Sequence, residues 1–286
     1  MSNIKNLLLF LKDEFYNNRL IGYAAQLAYS LLFSIIPLLI LLSVLLNKLA
    51  GSNAQGINNI ISSMMPNFMK TILEFSNLHG NLEISSFATF VYFVMLVHFG
   101  TMFIRTFNLI TCRVMYITET RNFVITYLVG IRNLIILTLI VGIPLLIITP
   151  LNYLASQEAA LLGLNSWQYN IIFGFLDRLI YAIPFVALLV AFILAPPERL
   201  SVKTVFPGSI FITVVWLLGS LIVKNTLLNF IDSENIALML EGVLLFLVFI
   251  FAMSLIIVVG MSINYYYQRV HPETGRRYNH GSSKTD

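Results

Sequence analysis

The chain has 286 residues, of which 58% are hydrophobic and only 10% charged, against about 25% charged in an ordinary soluble domain. Water cannot solvate so apolar a surface, whereas lipid accepts apolar side chains on every side of a helix, so the composition excludes a soluble globular enzyme and indicates an integral membrane protein. The net charge of +4 follows from membrane topology, as shown next, and calls for no nucleic-acid partner.

Residues 1–20 come first. Lys5 and Lys12 flank the short apolar stretch Leu7–Leu11, Asp13 and Glu14 follow, and no small-residue cleavage site does, so the segment is read as retained rather than as a signal peptide. Leu8, Leu11 and Phe15 stand three to four residues apart, which makes Ile4–Asn17 an amphipathic helix lying at the membrane surface. A hydrocarbon core about 30 Å thick needs about 20 apolar residues per helix. Six stretches within residues 21–267 meet that need, near Ile21–Leu46, Ile84–Phe103, Asn133–Tyr153, Ile171–Leu194, Thr204–Ile222 and Gly242–Asn264. The expected fold is therefore all-α, with six transmembrane helices. The long connection Asn47–Glu83, containing IISSMMPNFMKTILEF, reads as short helices over the outer face, either a solvated loop or a lid. Residues 268–286 are polar and form an expected disordered tail.

Positive residues are retained on the cytoplasmic side of a membrane. Of the seventeen Lys and Arg, thirteen fall in the N-terminal segment, the second and fourth connections and the tail, three (Lys48, Lys70, Lys224) fall in the alternate connections, and Arg178 falls inside a span. Both termini are thus expected in the cytoplasm. Arg113, Arg121 and Arg132 form the expected cytoplasmic basic face.

Within YAAQLAYSLLFSIIPLLILL, at 100° per residue, Tyr23, Gln26, Ser30, Ser34 and Pro37 share an arc of about 80°. Polar groups aimed at lipid tails lose hydrogen bonds, so that face should turn to other helices or to a wet cavity. Pro37 also removes a backbone donor and can bend the helix. In the second span His98, Thr101, Arg105, Asn108 and Cys112 share a similar arc, provided the helix continues past the membrane boundary. An intramembrane charge is costly and usually faces the protein interior, although Arg105 could also snorkel to headgroups, and His98 could serve as a packing residue or titrate. With Tyr29, these residues are the candidate substrate cavity; helix-to-helix glue is the alternative. In FLDRLIYAIP, adjacent Asp177 and Arg178 point about 100° apart and are poor partners for each other. Crossed pairs with Lys224 and Glu241 would make an outer charge gate; helix-end charges reaching for water are the alternative.

These segments carry a resemblance. AAQLAYSLLFSIIPLL, MFIRTFNLITCRVMYITETR, APPERLSVKTVFPGSIFITVVWLLGS and IIVVGMSINYYY are similar, in order and spacing, to the YihY/BrkB family of bacterial inner-membrane proteins. Ala24, Ala25, Gln26, Ala28, Tyr29, Ser34 and Pro37 occupy the first motif, and Arg105, Asn108, Arg121, Pro207 and Gly208 match later ones. Near the end, GMSIN keeps Gly260 and Asn264 but lacks the acid common in the family. The resemblance implies a six-span protein of the cytoplasmic membrane, with roles ranging from solute or ion efflux to lipid movement. A nuclease label once attached to members fits poorly, because a metal-dependent nuclease needs clustered carboxylates or histidines on a wet surface and the thirteen acids here are dispersed.

Other chemistries lack a basis. The single Cys112 leaves no disulfide or zinc framework, no phosphate-binding loop occurs, and neither a cofactor nor an enzymatic activity is expected. The reading is a transporter or translocator of a solute or amphiphile, an anionic lipid-like molecule being favoured by the cytoplasmic arginines. Membrane lipids and the moved molecule are its expected partners. A non-transporting envelope scaffold is the competing class.

Overall fold

A computed structural model of the protein describes residues 2–17, 20–50, 86–158, 182–197, 200–227 and 236–271. Among these residues there are seven helices and no strand. They are α1 (Ser2–Asn17), α2 (Leu20–Ala50), α3 (Ser86–Val114), α4 (Phe123–Glu158), α5 (Ala182–Leu194), α6 (Val202–Leu227) and α7 (Ile236–Val270). Four contain apolar stretches long enough to cross a bilayer, Thr89–Val114, Phe123–Pro144, Val202–Gly219 and Phe246–Val270, and shorter apolar stretches lie in α2 (Leu20–Ile35) and in α5. Large apolar side chains stand exposed along them, among them Phe90, Phe93, Ile135, Leu139, Leu218 and Val248. Apolar surface so extensive requires lipid or partner contact, and together with the long apolar helices it describes a multi-pass membrane protein.

The helices overrun the stretches expected from hydropathy alone. α3 continues to Val114, so Arg105 and Asn108 are helical, as the second polar stripe requires. α4 starts at Phe123, well before Asn133, because Arg132 can lie within a helix while its long side chain reaches along the surface. α7 runs to Val270, into the stretch expected as tail.

Local chemistry sets the helix ends. At the end of α3, Ile117 N–H donates to the Cys112 carbonyl at 2.8 Å and Tyr116 N–H to the Arg113 carbonyl at 3.3 Å, the paired bonds of a Schellman motif. Tyr116 takes the left-handed position there, at φ 54°. Asn122 precedes α4 as a favoured N-cap residue type, and its carbonyl accepts Thr126 N–H at 2.8 Å. Ser201 caps α6: its hydroxyl accepts Thr204 N–H at 3.3 Å and lies 2.9 Å from the Thr204 hydroxyl. α5 stops before Pro196 and Pro197, since a residue preceding proline is disfavoured in helical geometry.

The chain divides into two units. The first comprises Met1–Glu14, Thr111–Thr213 and Val259–Asp286; the second comprises Phe15–Ile110 and Val214–Val258. In the first, Phe192, Ala195, Val205, Ile212 and Met261 are buried. Phe10 of α1 packs its ring on Tyr265 and Tyr266 of α7 at 6.0 and 5.2 Å, Tyr116 meets Tyr265 at 5.0 Å, and Phe185 meets Phe206 edge-on at 5.7 Å. In the second, Leu20, Ala24 and Leu27 of α2, Ile104, Phe107 and Ile110 of α3, and Ile250 and Val258 of α7 are buried. The Phe33 and Phe99 rings, 5.7 Å apart, join α2 to α3.

Candidate functional site

In the second unit, the α2 stripe straddles the edge of the buried face. Leu20, Ala24 and Leu27 define that face, with Ser34 and Pro37 on its side of the stripe; Gln26 and Tyr29 are exposed, and Tyr23 and Ser30 are half-buried. Each serine hydroxyl donates to its own helix, Ser30 to the Leu27 carbonyl at 2.9 Å and Ser34 to the Leu31 carbonyl at 2.8 Å. Such back-bonding uses the hydroxyl proton locally, leaving an oxygen lone pair as the group that a neighbour or ligand could meet. Tyr29 stacks on Phe33 at 4.6 Å.

The α3 stripe is different. Thr101 and Asn108 are buried at 0% and 1% exposure, on one helix face with half-buried Arg105 between them. Among the described residues, neither the Thr101 hydroxyl nor the Asn108 amide nitrogen has a hydrogen-bond partner, and the same holds for the fully buried Ser254 hydroxyl of α7. Most buried polar groups in native proteins are satisfied, so these exceptions require a reason. His98, one turn before Thr101 on the same stripe, is exposed and lies edge-on to Phe99 at 5.4 Å.

In the first unit, the loop after α3 builds a clamp that composition could not reveal. Arg121 holds Glu119 in a bidentate pair, with Nε 2.7 Å from Oε1 and Nη2 2.6 Å from Oε2, and its backbone N–H also reaches Oε1 at 3.1 Å. The same Nη2 donates to the Ala195 carbonyl at 2.9 Å. Asn133 Nδ2 donates to the Leu194 carbonyl at 3.2 Å, while its Oδ1 accepts from Arg132 Nη2 at 3.0 Å. The last carbonyls of a helix have no partner within it. Arg121 and Asn133 thus cap the end of α5 where the two prolines stop it, with a cation placed favourably for the helix dipole.

Partial burial alone would raise the Glu119 carboxyl, but the side-chain and backbone hydrogen bonds from Arg121, its charge and a weak bond from Cys112 outweigh that and bring it below its ordinary value. The hydrogen bond to Glu119 raises Arg121 against the opposing effect of burial. Of the expected basic face, Arg113 and Arg132 are therefore exposed while Arg121 is paired.

The closing motif meets the FPG motif across the first unit. Gly208 N–H donates to Asn264 Oδ1 at 2.7 Å. A Cβ on Gly208 would collide with the Gly260 carbonyl and lie 2.6 Å from Asn264 Cγ, and one on Gly260 would strike the Ile212 side chain. Small residues let two membrane helices approach this closely. Asn264 is fully buried, and its amide nitrogen has no hydrogen-bond partner among the described residues. Nearby, the Thr111 hydroxyl lies 3.7 Å from the Met261 sulfur.

The outer charge gate lies outside what is described: Asp177 and Arg178 fall in residues 159–181, and only the helical backbone is described at Lys224 and Glu241. Sequence reasoning missed Glu119, Asn133 and Ser254. A carboxylate two residues before an arginine was a visible signal for the first, whereas one asparagine or serine in an apolar helix carries none.

No curated protein and no solved structure matches the chain. The pattern of the family described as virulence factor BrkB matches residues 11–284, nearly the whole chain, and the protein belongs to that family.

Proposed function

We propose that the protein is a transporter or translocator that moves a solute or amphiphile, with an anionic lipid-like molecule favoured, across the bacterial cytoplasmic membrane between its helices. In this reading six helices cross the membrane, both termini face the cytoplasm, and Pro37, Pro144 and Pro184 provide places to bend. The observation that carries it is the buried polar face of α3, where Thr101 and Asn108 flank Arg105 inside an apolar span. Polar and charged residues at such depth are expensive and usually line a substrate path. Gln26, Ser34 and His98 would contribute to the same path, and the gate of Asp177, Arg178, Lys224 and Glu241 would close its outer end.

Reconstituted protein should support flux or lipid flipping in a proteoliposome screen. Arg105→Leu and Asn108→Leu, recovered folded by size-exclusion chromatography, should lose it. Undiminished transport by both variants would remove this face from the mechanism.

A non-transporting membrane scaffold is the second reading. It is favoured by the close Gly208–Gly260 approach and by the local hydroxyl bonds of Ser30 and Ser34, all features of tight helix packing. Absence of any flux, with intact binding of anionic lipid at the exposed Arg113 and Arg132, would favour it.

A further inference from the structure

We propose that the outward face of α1, where Leu8 and Leu9 stand beside Lys5 and Lys12, is a binding surface for anionic lipid headgroups of the bilayer that holds the protein. It stands or falls independently of transport.

α1 carries apolar side chains on two opposite sides. At 100° per residue from Lys5, residues Phe10, Glu14, Leu7 and Leu11 fall between about 140° and 240°, and all four are half-buried or buried. Leu8, Lys12, Lys5 and Leu9 fall between about 300° and 40°, and all four are exposed, the leucines at 62% and 51%. Spacing groups Leu8 with Leu11; the fold exposes the first and half-buries the second. A helix covered on one side by protein and bathed in water on the other keeps its outer side polar. Two exposed leucines flanking two lysines call for a second cover.

The inner side fixes the depth of that cover. The Phe10 ring packs on Tyr265 and Tyr266 at 6.0 and 5.2 Å, and all three residues belong to the first unit. Both tyrosines lie within about 8 Å of the end of α7 at Val270, at about 1.5 Å per residue. The apolar stretch Phe246–Val270 has 25 residues, about 38 Å of helix against a hydrocarbon core of about 30 Å. Its ends therefore reach the headgroups, the level at which tyrosine rings gather. Tyr116, just past the end of α3, also meets Tyr265, at 5.0 Å, so a second apolar helix ends at the same level. Ring contact thus holds α1 at headgroup depth.

Charge selects the occupant. At that depth leucines enter the acyl boundary, while lysine stems lie along apolar surface and their ammonium groups reach phosphates. The leucines alone would suit any bilayer; the two lysines at the centre of the face favour an anionic one, by about fivefold in affinity for each. Asn6 and Asp13, exposed at about 80° to 100° on the same wheel, form the edge left to water.

The test uses full-length protein in phosphatidylcholine nanodiscs titrated with phosphatidylglycerol. In a Cys112→Ala background, a fluorophore on Leu9→Cys reports contact with the bilayer through quenching by nitroxide-labelled lipid. Quenching should rise with the phosphatidylglycerol fraction and fall at high salt, which screens exposed charges. Lys5→Gln or Lys12→Gln should each raise the fraction giving half-maximal quenching by about fivefold. A fluorophore on Asn6→Cys, at the water edge, should be quenched less than one on Leu9→Cys. Should Leu9→Cys fail to fold, Leu8→Cys takes its place with the same expectation. The proposal is overturned if the leucine-face label stays unquenched, if phosphatidylglycerol adds nothing to the quenching in phosphatidylcholine, if both lysine variants titrate as wild type, or if Asn6→Cys is quenched equally. Flux is not read, so failure of transport leaves this result untouched.

Discussion

Tyr116 holds a backbone conformation, φ 54°, that costs a non-glycine residue about 1–2 kcal/mol. Its compensation is the ring contact with Tyr265. The two contributions separate by substitution: Tyr116→Ala keeps the strain and loses the ring, whereas Tyr116→Gly loses both. Thermal denaturation in detergent should therefore find the alanine variant less stable than the glycine variant, by several degrees. Glu119 gives a second expectation. Its folded carboxyl sits below the ordinary glutamate value of about 4.3, so its stabilising contribution is complete above that value and is lost as pH falls through the depressed one. Glu119→Gln should be destabilised at neutral pH, and its deficit relative to wild type should shrink in a melting series carried below about pH 4. The arginine that causes this was visible in ITETR; its second role, holding Ala195 across 74 residues of sequence, was not, because a main-chain carbonyl carries no sequence signature.

Helix ends and crossings follow local rules that can be tested one element at a time. Ser201 caps α6 through its hydroxyl, and Ser201→Ala should cost about 1 kcal/mol, seen as a modestly lower melting temperature with unchanged helical content by circular dichroism. The α6–α7 crossing is less forgiving. Gly208→Ala would push a methyl group against the Gly260 carbonyl, a backbone atom that cannot swing aside, so the loss should reach about 1–3 kcal/mol as for other overpacked interiors. A Gly208→Ala protein that melts with the wild type would show that these helices are not held so close. Hydropathy located the four stretches that, among the described residues, are long and apolar enough to cross a bilayer, since lipid demands long apolar stretches whatever the packing. It placed their ends less well, because an arginine such as the exposed Arg132 can remain helical while reaching for water. Gly208, Gly260 and Asn264 were legible as motif positions, but only the folded chain joins Gly208 N–H to Asn264.

For the molecule as a whole, the membrane character and family were legible throughout, while the buried polar interior was legible only in part. Helical periodicity put Thr101, Arg105 and Asn108 on one face of α3; it also made Gln26 and Ser34 look equivalent, and the fold sets one exposed and the other buried. Ser254 escaped notice because an isolated serine interrupts no pattern. Those buried polar groups either see water or a ligand during the working cycle, or stay sealed in packing. Cysteine accessibility distinguishes the two. In a Cys112→Ala background, Asn108→Cys in membrane vesicles should react with a membrane-impermeant thiol reagent, whereas Ile250→Cys, buried in the same unit, should not. Labelling of Asn108→Cys well above Ile250→Cys is the result the account predicts; equal and negligible labelling of both would contradict it.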